Sequence, residues 1–173
     1  MKKLLILLSF AVITLASSSL QNIKTYQGSF EQNILNNSGK KVTYTGILYI
    51  GGYNKIRWEY QTPIEKSLYI LGSDVTIIEP ELEQVIVTKL SDQINLLDLL
   101  KKAVKLSPNS YISTYNNTKY ILTLQDKKLV KIEYKDQIDN QVTIKFSNIK
   151  QNIPLSNDIF SFKIPYDFDI IKK

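Results

Sequence analysis

Apolar and charged residues alternate strictly in one stretch near the middle of the chain, residues 55–60. The apolar positions are Ile56, Trp58 and Tyr60. In an extended strand, successive side chains point to opposite faces, so this period of two predicts a strand with one apolar and one charged face. The apolar face carries the only tryptophan of the chain and must be covered, either by the protein itself or by a bound molecule.

The same two-faced pattern recurs on both sides of this stretch, with turn residues such as Gly51-Gly52 and Asp139-Asn140 between the segments. The predicted strands are 26–34, 42–50, 55–61, 68–71, 75–78, 85–87, 120–125, 130–135, 142–147 and 160–165. Short strands joined by tight turns, with few helices between them, predict an antiparallel meander.

One segment changes to a helical period. Its apolar positions are Leu96, Leu97, Leu100, Ala103 and Val104. They recur at spacings of three and four, which predicts an amphipathic helix over 96–104 that Ser107-Pro108-Asn109 ends. A second, short helix is predicted over Leu20 to Thr25.

These elements predict a mainly β protein with few helices. A sheet of about ten to eleven twisted strands curls, so we expect an open antiparallel β half-barrel with the 96–104 helix as a lid over a hydrophobic cavity. Two interpretations remain open. Either the helix plugs the sheet permanently and the apolar residues are core, or helix and sheet enclose a space that opens for an apolar guest.

Residues 1–18 have the pattern of a cleaved secretory signal peptide. Lys2 and Lys3 precede an apolar run over 4–16, and small residues follow it. Cleavage after Ala16 and cleavage after Ser18 both fit. The remaining residues, 19–173, are expected to form a single domain.

The chain contains neither cysteine nor histidine. This composition excludes disulfides, a lipid-modified N-terminal cysteine, and nucleophilic catalysis by cysteine or histidine, and it removes most metal sites. We therefore expect no enzyme activity, catalytic residue, cofactor or metal. The net charge of +6 comes without any block of lysine or arginine, which argues against nucleic acid as a partner.

Four short motifs lie in order along the mature chain. They are Ser29-Phe30-Glu31-Gln32, Arg57-Trp58-Glu59-Tyr60 with Pro63, Glu83-Gln84-Val85 after Pro80, and Phe160-Ser161-Phe162 with Pro165. Together they resemble the periplasmic outer-membrane lipoprotein carrier family (LolA) over essentially the whole mature sequence. The related receptor of the same fold is anchored through an N-terminal cysteine, so the missing cysteine favours the carrier.

The resemblance implies a soluble, periplasmic, monomeric chaperone that catalyses no reaction. Such a carrier binds the acyl chains of lipoproteins released by an inner-membrane ABC transporter complex and delivers them to an outer-membrane lipoprotein receptor.

We expect two groups of residues at the ligand site. The sheet should contribute Phe30, Ile56, Trp58, Tyr60, Leu68 and Ile70 to the cavity walls, and the lid should contribute Leu96, Leu97 and Leu100. Ordinary core packing is the alternative for each of them. Arg57 is expected to contact the lid, and a charged residue at position 100 should impair guest binding more than folding.

The chain departs from the family pattern just before the tryptophan. There the family commonly has a basic residue followed by proline, which helps to hold the lid shut, whereas this chain has Gly52 and Tyr53. Either Arg57 or Lys55 takes over that role, or the lid is held more loosely; we favour the looser lid.

Two other functions are compatible with these features. A periplasmic sensor or regulator of the same fold could bind a lipid-linked signal. An enzyme could use carboxylates such as Glu79, Glu81 and Glu83, but these residues lie beside Pro80 in a segment that we interpret as a solvated loop.

Overall fold

The computed structural model describes residues 20, 22–52, 54–89 and 96–173, without the side chain of Leu97. The predicted signal peptide, residues 1–18, and Tyr53 lie outside the described residues.

The described residues form one sheet of twelve strands and one α-helix. The strands are β1 Thr25–Leu35, β2 Lys41–Gly51, β3 Lys55–Thr62, β4 Lys66–Leu71, β5 Asp74–Glu79, β6 Gln84–Lys89, β7 Val104–Ser107, β8 Ser110–Tyr115, β9 Thr118–Gln125, β10 Lys128–Lys135, β11 Gln141–Gln151 and β12 Asp169–Lys172. The helix α1 spans Leu96–Lys102, and short 3-10 turns span Pro80–Leu82 and Asn157–Phe160.

The strand order is β12-β6-β5-β4-β3-β2-β1-β11-β10-β9-β8-β7. Every neighbouring pair is antiparallel except β12 with β6. The two edge strands, β12 and β7, are not paired with each other, so the sheet is open. The predicted open, mainly antiparallel sheet is confirmed, with twelve strands where about ten to eleven were expected.

The sheet is strongly curled. Trp58 of β3 and Phe146 of β11 are three strands apart in the sheet order, which in a flat sheet is about 14 Å. Their ring centroids are 6.4 Å apart. The inner faces of the two halves of the sheet therefore approach each other and share one apolar interior.

The predicted helix is too long at its C-terminal end. It ends at Lys102, and Val104 is an exposed residue of β7 that pairs with Ile112 of β8. The turn at Pro108-Asn109, between the paired residues Ser107 and Ser110, closes the β7–β8 hairpin and does not stop the helix. Val104 and Leu106 also fit a period of two, so the helical spacing alone could not separate the two structures.

The last part of the chain also differs from its prediction. Residues 161–165 are not a strand; Phe160 ends a 3-10 turn, and its ring lies against Gly51, where an added Cβ would come within 2.3 Å of the ring. The segment then lies across the outer face of the sheet and ends in β12, which adds a parallel strand beside β6. Phe160 is buried by packing on the sheet, so its burial did not require strand pairing.

No helix forms from the described residues between Leu20 and Thr25. The Ile23 N–H donates to the Leu20 carbonyl oxygen at 3.2 Å, which makes a single turn, and Thr25 begins β1. Leu20 and Ile23 are nevertheless buried in the core, so their apolar spacing serves packing.

Candidate functional site

A cavity of about 330 Å³ lies between the inner face of the sheet and α1. Its volume falls within the usual range of small-molecule sites, about 300–1,000 Å³. Its walls come from β3 and β4 on one side, from β1, β9, β10 and β11 on the other, and from the helix above. The curl of the sheet creates this space, because it brings strands from both halves around one interior.

Four of the predicted sheet residues lie on the cavity wall: Trp58, Tyr60, Leu68 and Ile70. Trp58 pairs with Leu68 across β3 and β4, and the Trp58 and Tyr60 rings are stacked with centroids 6.4 Å apart. The period of two in β3 and β4 placed these side chains on the inner face. On the inner face, these side chains can contact a ligand in the cavity.

Phe30 and Ile56 are buried in the core and are not among the described residues that line the cavity. The Phe30 ring makes edge-to-face contacts with Trp58 at 5.2 Å and with Tyr60 at 5.1 Å between centroids. Phe30 therefore supports two wall residues from behind. For Phe30 and Ile56, the alternative of ordinary core packing is the one that the structure shows.

The lid contributes Leu96 and Leu99 to the cavity wall. Leu100 is 1% exposed and lies in the core without lining the cavity, a position that favours an effect on folding; the expectation that a charged residue there impairs binding more than folding stays a prediction. The side chain of Leu97 lies outside the described residues. Leu99 was missed, because the apolar face of a helix is wider than the single line of residues at spacings of three and four.

Sequence reasoning also missed the opposite wall. It consists of Gln32, Tyr120, Ile132, Tyr134 and Ile144. The period of two in β9, β10 and β11 placed most of these residues on the inner face, but it could not show that this face meets β3 and β4 across a cavity. That juxtaposition depends on the curl of the sheet.

The cavity is mainly apolar, with a few neutral polar groups. The Tyr60 hydroxyl donates to Gln32 Oε1 at 3.2 Å. Burial raises the pKa of Tyr60 to about 12, and burial also raises the pKa of Tyr134 and of Tyr120 above the ordinary value for a phenol. These phenols therefore stay neutral, as hydrogen-bond donors, at physiological pH.

Arg57 does not meet the expectation of a lid contact. It alternates with Ile56 and Trp58, so it lies on the outer face of β3, where its guanidinium donates to the Ile159 carbonyl oxygen at 3.3 Å. It also pairs with Glu59 at 2.8 Å and lies over the rings of two outer-face tyrosines, Tyr49 and Tyr69. Arg57 therefore holds the C-terminal segment against the sheet, on the side opposite to the lid.

Lys55 serves the same segment. Its ammonium donates to Asn157 Oδ1 at 2.9 Å. Gly52 lies in the turn after β2, with a positive φ of 56°. Since both Arg57 and Lys55 contact the C-terminal segment, neither takes over the family's lid-holding position, and the looser lid remains a prediction.

Comparison with known proteins agrees with this architecture. A family model described as "Outer membrane lipoprotein carrier protein LolA" matches residues 21–105. An outer-membrane lipoprotein carrier protein of Campylobacter jejuni is 33% identical over 151 residues, covering 87% of this chain and 88% of the relative. The chain belongs to the outer-membrane lipoprotein carrier family. A second carrier protein of this family, from Helicobacter pylori, is 35% identical over 156 residues, covering 89% of this chain and 83% of that protein.

Solved structures share the fold of this LolA family member. A LolA superfamily protein from Nitrosomonas europaea matches with a TM-score of 0.51 at 10% identity, covering 83% of this chain and 94% of that one. An uncharacterized conserved protein from Thermus thermophilus matches with a TM-score of 0.55 at 9% identity, covering 90% and 94%. At these identities the likeness shows the fold alone. Within the described part of the chain, no helix has the length and apolar character needed to cross a bilayer.

Proposed function

We propose that this protein is a soluble periplasmic chaperone that binds the acyl chains of lipoproteins released from the inner membrane and carries them to the outer-membrane receptor. The observation that carries the proposal is the cavity of about 330 Å³ under the lid, whose walls are mostly aliphatic and aromatic side chains. A protein whose interior is filled by its own side chains would not contain a cavity of this size.

The free energy of hydration explains why a carrier is needed. Each methylene transferred out of water gains about 0.8 kcal/mol, so one long acyl chain left in water costs on the order of 10 kcal/mol. A protein that shelters the chain removes most of this barrier to crossing an aqueous compartment. The role requires no chemical reaction.

A carrier must also release its cargo, so its binding site should be covered by an element that can move. The lid is short: α1 spans seven residues, and its buried residues are leucines. Apolar contacts are not directional, and a guest chain can replace them with contacts of the same kind. This exchange allows the helix to move away from the sheet without leaving buried polar groups unpaired.

The remaining expectations follow from this role. The leader over residues 1–18 would direct export, and the domain over 19–173 would act as a monomer. It would receive lipoproteins from an inner-membrane ABC transporter complex and pass them to an outer-membrane lipoprotein receptor. Binding through acyl chains would let one cavity serve many lipoproteins whose protein parts differ.

The test is release of newly made lipoproteins from spheroplasts of a Gram-negative bacterium. Labelled lipoproteins should appear in the soluble fraction, bound to the added mature protein. A buffer control measures spontaneous release, and a variant with a smaller cavity, Leu68→Phe, should release less lipoprotein than the wild-type protein if release depends on the cavity. Release no greater than with buffer would refute the carrier function.

A further inference from the structure

The cavity wall contains one amide side chain that an apolar container does not need. Gln32 lies on the inner face of β1, between Phe30 and Ile34 on the same face, and is 9% exposed. Burying an amide without hydrogen bonds is unfavourable, because the amide loses its hydrogen bonds to water. An aliphatic residue at position 32 would avoid that cost. The amide is therefore expected to form hydrogen bonds that contribute to function.

The hydrogen bonds of Gln32 are only half satisfied. Its Oε1 accepts from the Tyr60 hydroxyl at 3.2 Å, but within the described part of the chain its amide nitrogen has no acceptor. The amide oxygen is the end that faces Tyr60, so the two N–H groups lie on the other side of the amide. The unused groups are therefore donors, in a side chain that lines the cavity.

A second donor lies on the same inner face. Across the sheet, Gln32 is followed by Ile144 and then Ile132, and Tyr134 lies two residues beyond Ile132 on the cavity wall. Burial raises the pKa of Tyr134, so its hydroxyl remains protonated. No lysine or arginine is among the described residues that line the cavity. The available polar groups are neutral donors.

Resting on the proposed function, we propose that Gln32 and Tyr134 bind the carbonyl oxygens of acyl esters, so that the cavity recognises the linkage of the acyl chain as well as its hydrocarbon. An ester carbonyl is neutral and accepts hydrogen bonds without donating any, which matches neutral donors. A carboxylate would enter without a counter-charge, and its burial would be costly. A plain alkyl chain would leave the Gln32 amide unpaired.

The experiment compares two lipopeptides of equal chain length, one with ester-linked chains and one with the same chains linked as ethers. Calorimetry gives the Kd of each for the mature protein. A net hydrogen bond contributes about 0.5–1.5 kcal/mol, so each of the two donors should make the ester bind about 2- to 12-fold more tightly than the ether. The ratio of the two Kd values cancels the contribution of the hydrocarbon.

The decisive variant removes the Gln32 donors without exposing a new one. Gln32→Leu alone would free the Tyr60 hydroxyl to bind the ester, so the variant is Gln32→Leu with Tyr60→Phe, compared with Tyr60→Phe alone. The Gln32→Leu change should lower the ester preference by the contribution of one hydrogen bond, about 2- to 12-fold, and the preference that remains should come from Tyr134. Gln27→Leu, the same substitution on the outer face of the same strand, is the matched control. Tyr134→Phe tests the second donor independently.

The outcomes separate the two proposals. If neither lipopeptide binds, the carrier function fails. If both bind the wild-type protein with equal affinity, or if the ester preference survives both the Gln32→Leu change and Tyr134→Phe, the cavity is a plain hydrocarbon site and ester recognition is refuted. Thermal unfolding of each variant checks that it is folded, and Tyr134→Phe provides a readout if Gln32→Leu is not.

Discussion

A larger side chain on the cavity wall should weaken ligand binding without unfolding the protein. Leu68 is half-buried in β4, pairs with Trp58 and lines the cavity, so a larger side chain at this position extends into existing space. The substitution Leu68→Phe adds about three carbon atoms, which take the place of about three methylenes of the guest. We expect the free energy of unfolding of the empty protein to change by less than about 1 kcal/mol, because no packed neighbour has to be displaced.

The size of the effect on binding follows from the transfer free energy. At about 0.8 kcal/mol for each buried methylene, three excluded methylenes weaken binding by about 2.4 kcal/mol, or about 50-fold in Kd. Isothermal titration with a saturated-chain lipopeptide measures this change. The calorimeter is preferable to the fluorescence of Trp58, because the new ring would lie beside that residue and alter its emission.

The matched control is Ile47→Phe, which enlarges a half-buried residue on the outer face of β2 by the same amount. It should leave the lipopeptide Kd within about twofold of wild type. If Leu68→Phe binds as well as wild type while remaining folded, the cavity is not the acyl site. If the two variants weaken binding equally, the loss reflects a general disturbance of the sheet.

Three further predictions concern packing, the lid and pH. Gly46→Ala should lower the free energy of unfolding by about 3 kcal/mol in urea melts, because the added Cβ would lie 1.9 Å from the Glu59 carbonyl oxygen; an unchanged midpoint would refute this contact. Leu100→Ala should lower the free energy of unfolding by about 3–5 kcal/mol and leave the lipopeptide Kd of the folded protein nearly unchanged. Leu96→Ala, at the cavity wall, should weaken lipopeptide binding. Weaker binding by Leu100→Ala together with unchanged binding by Leu96→Ala would contradict the lid geometry. Burial raises the pKa of Tyr60 to about 12. The folded protein therefore keeps the phenol proton of Tyr60 between about pH 10, where the unfolded chain loses it, and about pH 12. The contribution of Tyr60 to stability should therefore be complete below about pH 10 and disappear as the pH rises to about 12, and Tyr60→Phe should lose less stability over that range in urea melts; equal losses would place the titration elsewhere.

The faces of the strands were predictable from the sequence because a period of two is a local property. Ile56, Trp58 and Tyr60 point inward and Arg57 points outward, as their alternation requires. The partner of Arg57 was not predictable. It is Ile159, 102 residues away in a segment that was expected to form a strand and that lies instead across the outer face.

Short elements with two compatible periods were decided by tertiary contacts. The residues around Val104 fit a helix or a strand, and pairing with β8 selected the strand. Phe160 was expected to be inside a strand, but space above Gly51 let its ring be buried without strand pairing. In both places the local preference is weak, and the available partner determined the outcome.

By itself, the sequence determined the fold class, the lid helix and which residues of each strand face inward, because these depend on the spacing of apolar residues along the chain. The tertiary structure decided which inward residues border empty space and which pack against one another. Phe30 and Leu100 became core, whereas Leu99 and Ile144 became cavity wall. The physical reason is that a cavity depends on the curl of the sheet and on the pairing of β1 with β11, which joins strands more than one hundred residues apart in the chain.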